Sequence, residues 1–558
     1  MFKKSIYDAT SLAAIFVTTL MLPILILTYT EKNPLSVSFA GVLLPLGAYT
    51  LFTAISRHSG RMVWYGLPFI FLSAFQVVIS YLFGNSVVAT DMFLNILTTN
   101  PSEATELLSN IYPAVLFVVV VYFPLLWLAA LHIRRKIELK RSTRRRMFTI
   151  GGISLVAGCT VWIFGCRDNM WRVLRDEVFP VNVCYNLGLA VVETQRINRY
   201  EQTSAGFLYH AERRQQPDAR EVYVLVIGEA SRAASWQLYG YERTTNPLLS
   251  KRDDIVLFRH ITTQSNTTHK SVPMILSSIH TSQHRELYQR SGVLALFNEV
   301  GFTTYFISNQ QPQGAMIDKL ASDADFTIYL TAPHHDGQLV EAMQKALAED
   351  CSQKILFVLH SYGSHYSYRQ RYPREFAVFL SDDDVAVEKA NIDMIRNAYD
   401  NSILYTDYVL NEIISTLESR PEICSAMLYC ADHGEDLFDT EEDRFLHATP
   451  TVTYYQLHVA SFVWFSDRYK ILFGEKAEAA QYNESVPATT YSVFHTIADM
   501  ASIASPYIDF EASLVSFDFD DTSARYYLDD HNQAVSLNEN IGIDSSQRRL
   551  FERAGVEL

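Results

Sequence analysis

A chain of 558 residues exceeds what one ordinary hydrophobic core organises, so at least two domains are expected. Its formal net charge of −15 at pH 7 argues against nucleic acid as a partner. The mean hydropathy of +0.03 hides a division: apolar residues crowd into the first third, and the acidic excess comes from the rest.

Five segments of that first third are long enough to cross a bilayer, at about 20 residues each. They run over 11–29, 37–55, 63–83, 112–132 and 147–164. Pro23, Pro45 and Pro68 fall within three of them, which membrane helices tolerate better than soluble ones. Lys3 and Lys4 precede the first segment, and Arg57 and Arg61 follow the second. Arg134, Arg135, Lys136, Lys140, Arg141, Arg144, Arg145 and Arg146 fill the loop between the fourth and fifth, whereas 84–111 holds neither Lys nor Arg. The bias of basic residues puts the N-terminus and the basic loops in the cytoplasm, and an odd number of spans carries everything after about Arg167 to the other side. The first segment is too long, and lacks a small-residue cleavage site, to be a removed signal peptide.

Residues 167–220 mix apolar positions at helical spacing with Arg and Glu. Short helices on the membrane surface fit this pattern, and so does an ordinary connecting bundle. The chain is thus expected to divide into a five-span membrane domain (1–166), interfacial or linker helices (167–220) and an exported domain (221–558). The six cysteines do not form a disulfide framework. Cys424 and Cys430 bracket one expected strand and so lie roughly 20 Å apart, beyond the ~7 Å between Cα atoms that a disulfide spans.

From Val222 onward apolar runs alternate with helical patterns. Expected strands cover 223–227, 255–258, 303–307, 355–359, 426–430 and 459–465, with helices at 294–300, 339–350 and 390–418 among them. Such alternation predicts an α/β domain with a mostly parallel central sheet covered by helices on both faces. The tail after Pro506 is acidic and irregular, with no legible role.

The stretch VYVLVIGEASR is organised like a buried parallel strand that ends in Gly228 and an acid, Glu229. Chemistry gathers at the carboxyl ends of such strands, and an unpaired carboxylate there needs a positive partner. Four further clusters follow strands: SNTTHKSVP at 265–273, HSYGSH at 360–365, Asp432-His433-Gly434-Glu435, and His447 in FLHATP. The first offers hydroxyls beside helix amides, a natural seat for phosphate that is also an ordinary helix cap. Asp, His and Glu brought to one sheet edge are zinc ligands in type.

These motifs, with GEASRAASWQLYGYERTTNP and LHATP, resemble in content and order the phosphoethanolamine transferases. That lipid A-modifying family includes the mobile colistin-resistance enzymes and lies within the alkaline phosphatase/sulfatase superfamily. The resemblance covers nearly the whole chain. It implies an alkaline-phosphatase-like exported domain, with Glu229, Thr268, Asp432 and His433 holding a catalytic zinc. Thr268 rather than Thr267 keeps the family's Thr-x-x-Ser-Val-Pro spacing, and His365 and His447 would contact the transferred phosphate or a second zinc. Asn95, Thr99 and Glu103 match an Asn-x3-Thr-x3-Glu pattern that lines the substrate site in relatives, and on a helix that spacing places them on one face. Two departures stand out. Cysteines that flank the nucleophile loop in the colistin-resistance type are here Gln264 and Met274, which suggests a loop held by packing rather than a covalent staple. The loop NQQPQG (309–314) also lacks a lysine that such relatives offer to the anion.

A threonine hydroxyl is a feeble nucleophile at neutral pH, and a neighbouring divalent cation remedies this. The implied reaction is a two-step transfer. Thr268 takes phosphoethanolamine from phosphatidylethanolamine, and a lipid A phosphate, a core-oligosaccharide sugar or another surface glycan then accepts it. The implied setting is a bacterial inner membrane with the catalytic domain in the periplasm, the chain acting as a monomer among membrane lipids. A sulfatase would need Cys or Ser in a Cys/Ser-x-Pro-x-Arg context, which 265–273 does not offer. A phosphoglycerol transferase shares the threonine and the five spans but not the GEASR, SVP and DHGE wording, and a catalytically dead scaffold would not keep every ligand.

Overall fold

The computed structural model of the protein describes residues 8–30, 33–82, 88–98, 101–439, 443–537, 543 and 545–557. They form two compact units, one of Met1–Phe93, Pro101–Val191 and Phe438–Phe445, the other of Leu94–Asn100, Val192–Leu437 and Leu446–Leu558.

Among the described residues of the first unit, four helices are long and apolar enough to cross a membrane: Ala9–Tyr29, Leu35–Ala54, Tyr112–Arg134 and Arg141–Gly165. The remaining expected span is broken rather than continuous. It consists of Ser59–Tyr65 and Leu67–Tyr81, bent by 60° at Gly66. Pro68 explains the restart: its ring fits the first turn of a helix, where no amide is needed, but would block continuation from the helix before it. Pro23 and Pro45, by contrast, lie inside unbroken helices. The apolar side chains Phe117, Val120, Ile153 and Val156 point outward, while Gly151, Ser154 and Gly158 form the buried face of the last helix. Small residues let helices approach closely where lipid removes any hydrophobic drive, and Ser154 Oγ donates to Leu43 O at 2.9 Å across that face. Arg144 from the basic loop donates to the carbonyls of Ala54 (3.1 Å) and Ile55 (2.9 Å), capping the end of the second helix.

The second unit is built on a seven-stranded sheet. In chain order its strands are β1 (Glu221–Gly228), β2 (Ile255–Leu257), β3 (Thr303–Ser308), β4 (Phe326–Tyr329), β5 (Lys354–His360), β6 (Cys424–Ala431) and β7 (Ser461–Phe465). Their spatial order is β2-β7-β6-β1-β5-β3-β4. Only β7 runs against the others, so the sheet is mixed but mostly parallel, as the strand-helix alternation predicts. β1 and β6 are buried at every residue, which is why they read as continuous apolar runs rather than alternating ones. β4 was not expected; as the outermost strand it leaves Phe326 and Thr327 exposed and carries no buried apolar run to mark it. The expected helices are present as Val293–Glu299, Gly337–Glu349 and Ile392–Glu418.

The acidic tail is not irregular throughout. Tyr526–Leu528 and Ala534–Ser536 form an antiparallel hairpin, and Ser545–Ala554 is a helix. Tyr527, Leu537, Ile543, Phe551 and Val556 join Tyr454 and Leu457 in one apolar cluster. The sequence hid this because the apolar residues are spaced singly among charged ones. The six cysteines are unpaired.

Candidate active site

The parallel strands end level with one another. Ile227 on β1 is the register partner of His360 on β5 and Cys430 on β6, and Ser308 on β3 pairs with His360. Residues just beyond these strands therefore emerge side by side at the carboxyl edge of the sheet. They are Glu229, Gln310, the 361–365 loop, and Asp432 with His433.

Thr268 begins the helix Thr268–Ile275 and reaches the same place. Its Oγ1 lies 3.3 and 3.2 Å from the two carboxylate oxygens of Glu229 and 3.0 Å from His433 Nε2. His433 Nε2 is in turn 3.5 Å from Glu229 Oε1 and 3.3 Å from Asp432 Oδ2. Ligand atoms of Glu229, Asp432 and His433 all lie within 4.8 Å of one another, and the three residues are buried.

Each is aimed by a second partner. Asp432 Oδ1 accepts the backbone N–H groups of Ala230 (3.1 Å) and His433 (2.7 Å), which turns Oδ2 toward the cluster, where it accepts no hydrogen bond among the described residues. His433 Nδ1 donates to Gly434 O at 2.9 Å, leaving the Nε2 lone pair facing Thr268. Gln310 Nε2 donates to Glu229 Oε2 (3.0 Å) and Ser361 O (2.9 Å). Burial pushes the Glu229 carboxyl up to about 8, with the Asp432 charge adding to it. Burial likewise raises Asp432 to about 7 and holds His433 down to about 4. Two buried carboxylates side by side resist ionisation unless a cation lies between them. The donor set of two carboxylates, one imidazole and one hydroxyl, with an orphaned buried oxygen turned inward, fits a divalent ion of the zinc type.

Beside this cluster a second group forms from His433, Glu435 and His447. His447 Nδ1 bonds Glu435 Oε2 at 2.7 Å, and Tyr368 Oη donates to Glu435 Oε1 at 2.8 Å. The rings of His433 and His447 are 4.1 Å apart. His365 donates from Nδ1 to Tyr366 O at 2.6 Å and stacks on Tyr362, and the Arg371 guanidinium lies over the Tyr362 ring, 4.0 Å from its centroid. Burial, then Arg371 and His447, hold His365 down to about 3. All three imidazoles thus commit Nδ1 to an oxygen acceptor and keep Nε2 for something else.

Local backbone shape reflects the same convergence. Gly363 has φ +45°, and a Cβ there would meet Glu229 O at 2.7 Å. A Cβ on Gly434 would meet Tyr455 O at 1.9 Å. Ala230, Leu446 and Ala448, which flank Glu229 and His447, have φ of 52°, 64° and 62°. Non-glycine residues in this region cost about 1 to 3 kcal/mol each and collect at functional sites.

The chain is similar to known proteins over most of its length. The sulfatase family model matches residues 221–503, just over half of the chain, and the model for phosphoethanolamine transferase EptA/EptB matches residues 50–193. The chain belongs to the phosphoethanolamine transferase family. It is 25% identical over 490 residues to the Kdo(2)-lipid A phosphoethanolamine 7''-transferase of Salmonella typhimurium, covering 80% of this chain and 84% of that one. The integral membrane lipooligosaccharide phosphoethanolamine transferase A from Neisseria meningitidis shares the fold with a TM-score of 0.70 at 19% identity, over 91% of this chain and 96% of that one. The C-terminal periplasmic domain of EcEptC from Escherichia coli, solved in complex with Zn, matches with a TM-score of 0.52 at 22% identity, over 59% of this chain and 95% of that one.

In this family member Glu229, Thr268, Asp432 and His433 converge directly, and His365 and His447 stand beside them. Asn95 lies on the helix Thr90–Thr98 and Glu103 on Pro101–Arg134, but Thr99 and all three side chains lie outside the described residues. Sequence reasoning gave no role to Gln310 and took Glu435 only as part of the DHGE cluster. Gln310 stands in the very loop noted for its missing lysine, and its bond to Glu229 depends on a fold contact that no local pattern announces. Gln264, at one of the cysteine-substituted places, donates from Nε2 to Thr281 Oγ1 at 3.0 Å, and Met274, at the other, is fully buried.

Proposed function

We propose that this protein transfers phosphoethanolamine from phosphatidylethanolamine to lipid A through a covalent intermediate on Thr268, with zinc as cofactor. The observation that carries the reading is the threonine hydroxyl seated 3.0 to 3.3 Å from His433 and Glu229, at the mouth of a buried carboxylate-imidazole cluster.

Bound zinc supplies the positive charge that makes a threonine oxygen reactive at neutral pH and offsets negative charge on the phosphoryl group. Glu229, Asp432, His433 and Thr268 would hold it. The remaining steps follow from the chain's own groups. Thr268 Oγ1 gives up its proton and attacks phosphorus as the bond to the diacylglycerol oxygen breaks; that oxygen takes up a proton and leaves as the hydroxyl of diacylglycerol, and phosphoethanolamine stays esterified to Thr268. An acceptor phosphate or hydroxyl then attacks the same phosphorus and frees the threonine. His365 and His447, half-buried with their Nε2 atoms uncommitted, face the phosphoryl oxygens and orient them. Glu435 fixes the ring of His447.

Donor and acceptor are both lipids, which gives the membrane unit its purpose. The basic loops are cytoplasmic and the sheet unit lies in the periplasm of a bacterial inner membrane. Asn95, Thr99 and Glu103 contact the substrate. The Salmonella typhimurium relative is named for Kdo(2)-lipid A, which supports a lipopolysaccharide acceptor and keeps a core sugar as the rival to the lipid A phosphate. Mass spectrometry of lipid A and core from cells carrying wild-type protein or Thr268→Ala tests the whole proposal. One added phosphoethanolamine on lipid A, absent with the variant, is expected; an addition confined to core sugar reassigns the acceptor, and an unchanged addition with Thr268→Ala removes the covalent step.

A further inference from the structure

The loop that carries Thr268 is also gripped by residues 526–530 of the tail. Four positions before Thr268, Gln264 O accepts the backbone N–H of Leu528 at 2.7 Å. Gln264 Nε2 donates to Thr281 Oγ1 at 3.0 Å, and Thr281 Oγ1 donates on to Tyr526 O at 3.3 Å. Two positions after Thr268, Lys270 Nζ donates to Asp529 O at 3.2 Å and Asp530 O at 3.4 Å. The tail thus bonds to this loop on both sides of the candidate nucleophile in sequence.

The hairpin is shaped to do this. Asp529 Oδ1 accepts the N–H groups of His531 (2.9 Å) and Gln533 (2.8 Å), which closes the turn and leaves the carbonyls of Asp529 and Asp530 directed at Lys270. Its far end is fixed by the apolar cluster that Tyr527, Leu537 and Phe551 form with Tyr454 and Leu457. The short helix Tyr454–Leu457 also provides Gln456, whose Oε1 accepts from Asn266 Nδ2 at 2.7 Å, two residues before Thr268. Lys270 is only 4% exposed, and a cavity of about 20 Å³ lies beside it, lined by His269, His284 and Asn532 among others. A gap of that size holds about one water. A buried ammonium with carbonyl partners is costly to dislodge, because each lost bond leaves a desolvated donor.

We propose that residues 526–530 form a strap that positions Thr268, and that Lys270 is its latch, a positioning residue rather than a catalytic one. The idea rests on the transferase reading for its kinetic consequence but not for its structural one. The nucleophile must sit within a fraction of an ångström of its productive position, and misplacement by 1 Å costs up to about 100-fold in rate.

The test uses full-length protein in detergent micelles, measuring diacylglycerol release from a fluorescent phosphatidylethanolamine, zinc content, and amide hydrogen exchange over residues 264–270. With Lys270→Met, kcat is expected to fall about 10- to 100-fold at unchanged KM and unchanged zinc content, with faster exchange across the loop. Lys270→Arg should recover most of the loss. Leu528→Pro, which removes one N–H from Gln264 O and leaves Lys270 in place, should move kcat and exchange in the same direction and serves if the lysine variant does not fold. Unchanged exchange overturns the strap, and faster exchange with unchanged kcat overturns its positioning role. If wild-type protein releases no diacylglycerol, the transferase reading fails, while the exchange data still decide whether the strap holds the loop.

Discussion

Glu229, Asp432 and His433 are sealed from solvent, whereas Thr268, His365 and His447 stand half-buried around them. Burial displaces protonation on both sides: the carboxyls of Glu229 and Asp432 are raised to about 8 and 7, and the imidazoles of His433, His447 and His365 are held down to about 4, 4 and 3. On the open side each imidazole spends Nδ1 on an internal oxygen and keeps Nε2 available. Under the proposed function the contrast separates two tasks. Holding an ion requires buried, fixed ligands, while handling a phosphoryl group requires groups that substrate can reach. Thr268 belongs to both sides, since its hydroxyl touches the sealed cluster from an accessible position.

Substitutions should divide along the same line. Thr268→Ala is expected to reduce transfer at least about 1,000-fold while leaving most of the zinc in place, read by lipid mass spectrometry and elemental analysis. Asp432→Asn should lower zinc affinity about 100-fold or more and carry activity down with it, because a neutral amide replaces a charged ligand. His447→Ala should keep zinc yet lose about 100-fold in kcat/KM, and loss of zinc equal to that in Asp432→Asn would erase the distinction between the two sides. Glu435→Gln, which only loosens the aim of His447, should cost about 10-fold.

The smallest effect is one of stability. In metal-free protein the folded-state pKa values of Glu229 and Asp432 lie above their unfolded values, so the folded state binds protons more readily. Below about 6.5 the depressed histidines of the site oppose this, so stability of that form is expected to fall as pH rises from about 6.5 to about 8, and saturating zinc should flatten that part of the profile, as thermal unfolding in each condition would report. A profile equally flat without metal would mean that the two carboxyls are not forced together.

Much of this site was legible beforehand. Glu229, Asp432 and His433 each follow an uninterrupted apolar run, and a wholly buried strand has few places to put an acid except its end. His365 and His447 were readable by residue type but not by orientation, because the bonds that commit Nδ1 join groups brought together by folding. Gln310 and the tail hairpin were not readable. A glutamine in a polar loop looks like any other, and the tail's apolar residues are too sparse to form a periodic pattern. The break at Gly66 was missed for a similar reason: Pro68 marks a disturbance, but Pro23 and Pro45 show that a proline need not end a membrane helix.

Sequence by itself determined what is local and repetitive: the apolar spans, the bias of basic residues between them, the strand-helix alternation and the residue types able to bind a cation. Those follow from the solvent each segment must face and from the short reach of backbone hydrogen bonding. Only the tertiary structure decided which oxygen of Asp432 turns inward, which nitrogen of each histidine is kept free, and that residues 526–530 lie against the loop of Thr268. These depend on contacts between segments far apart in the chain, whose geometry is set by the level ends of the parallel strands and by dense packing around them.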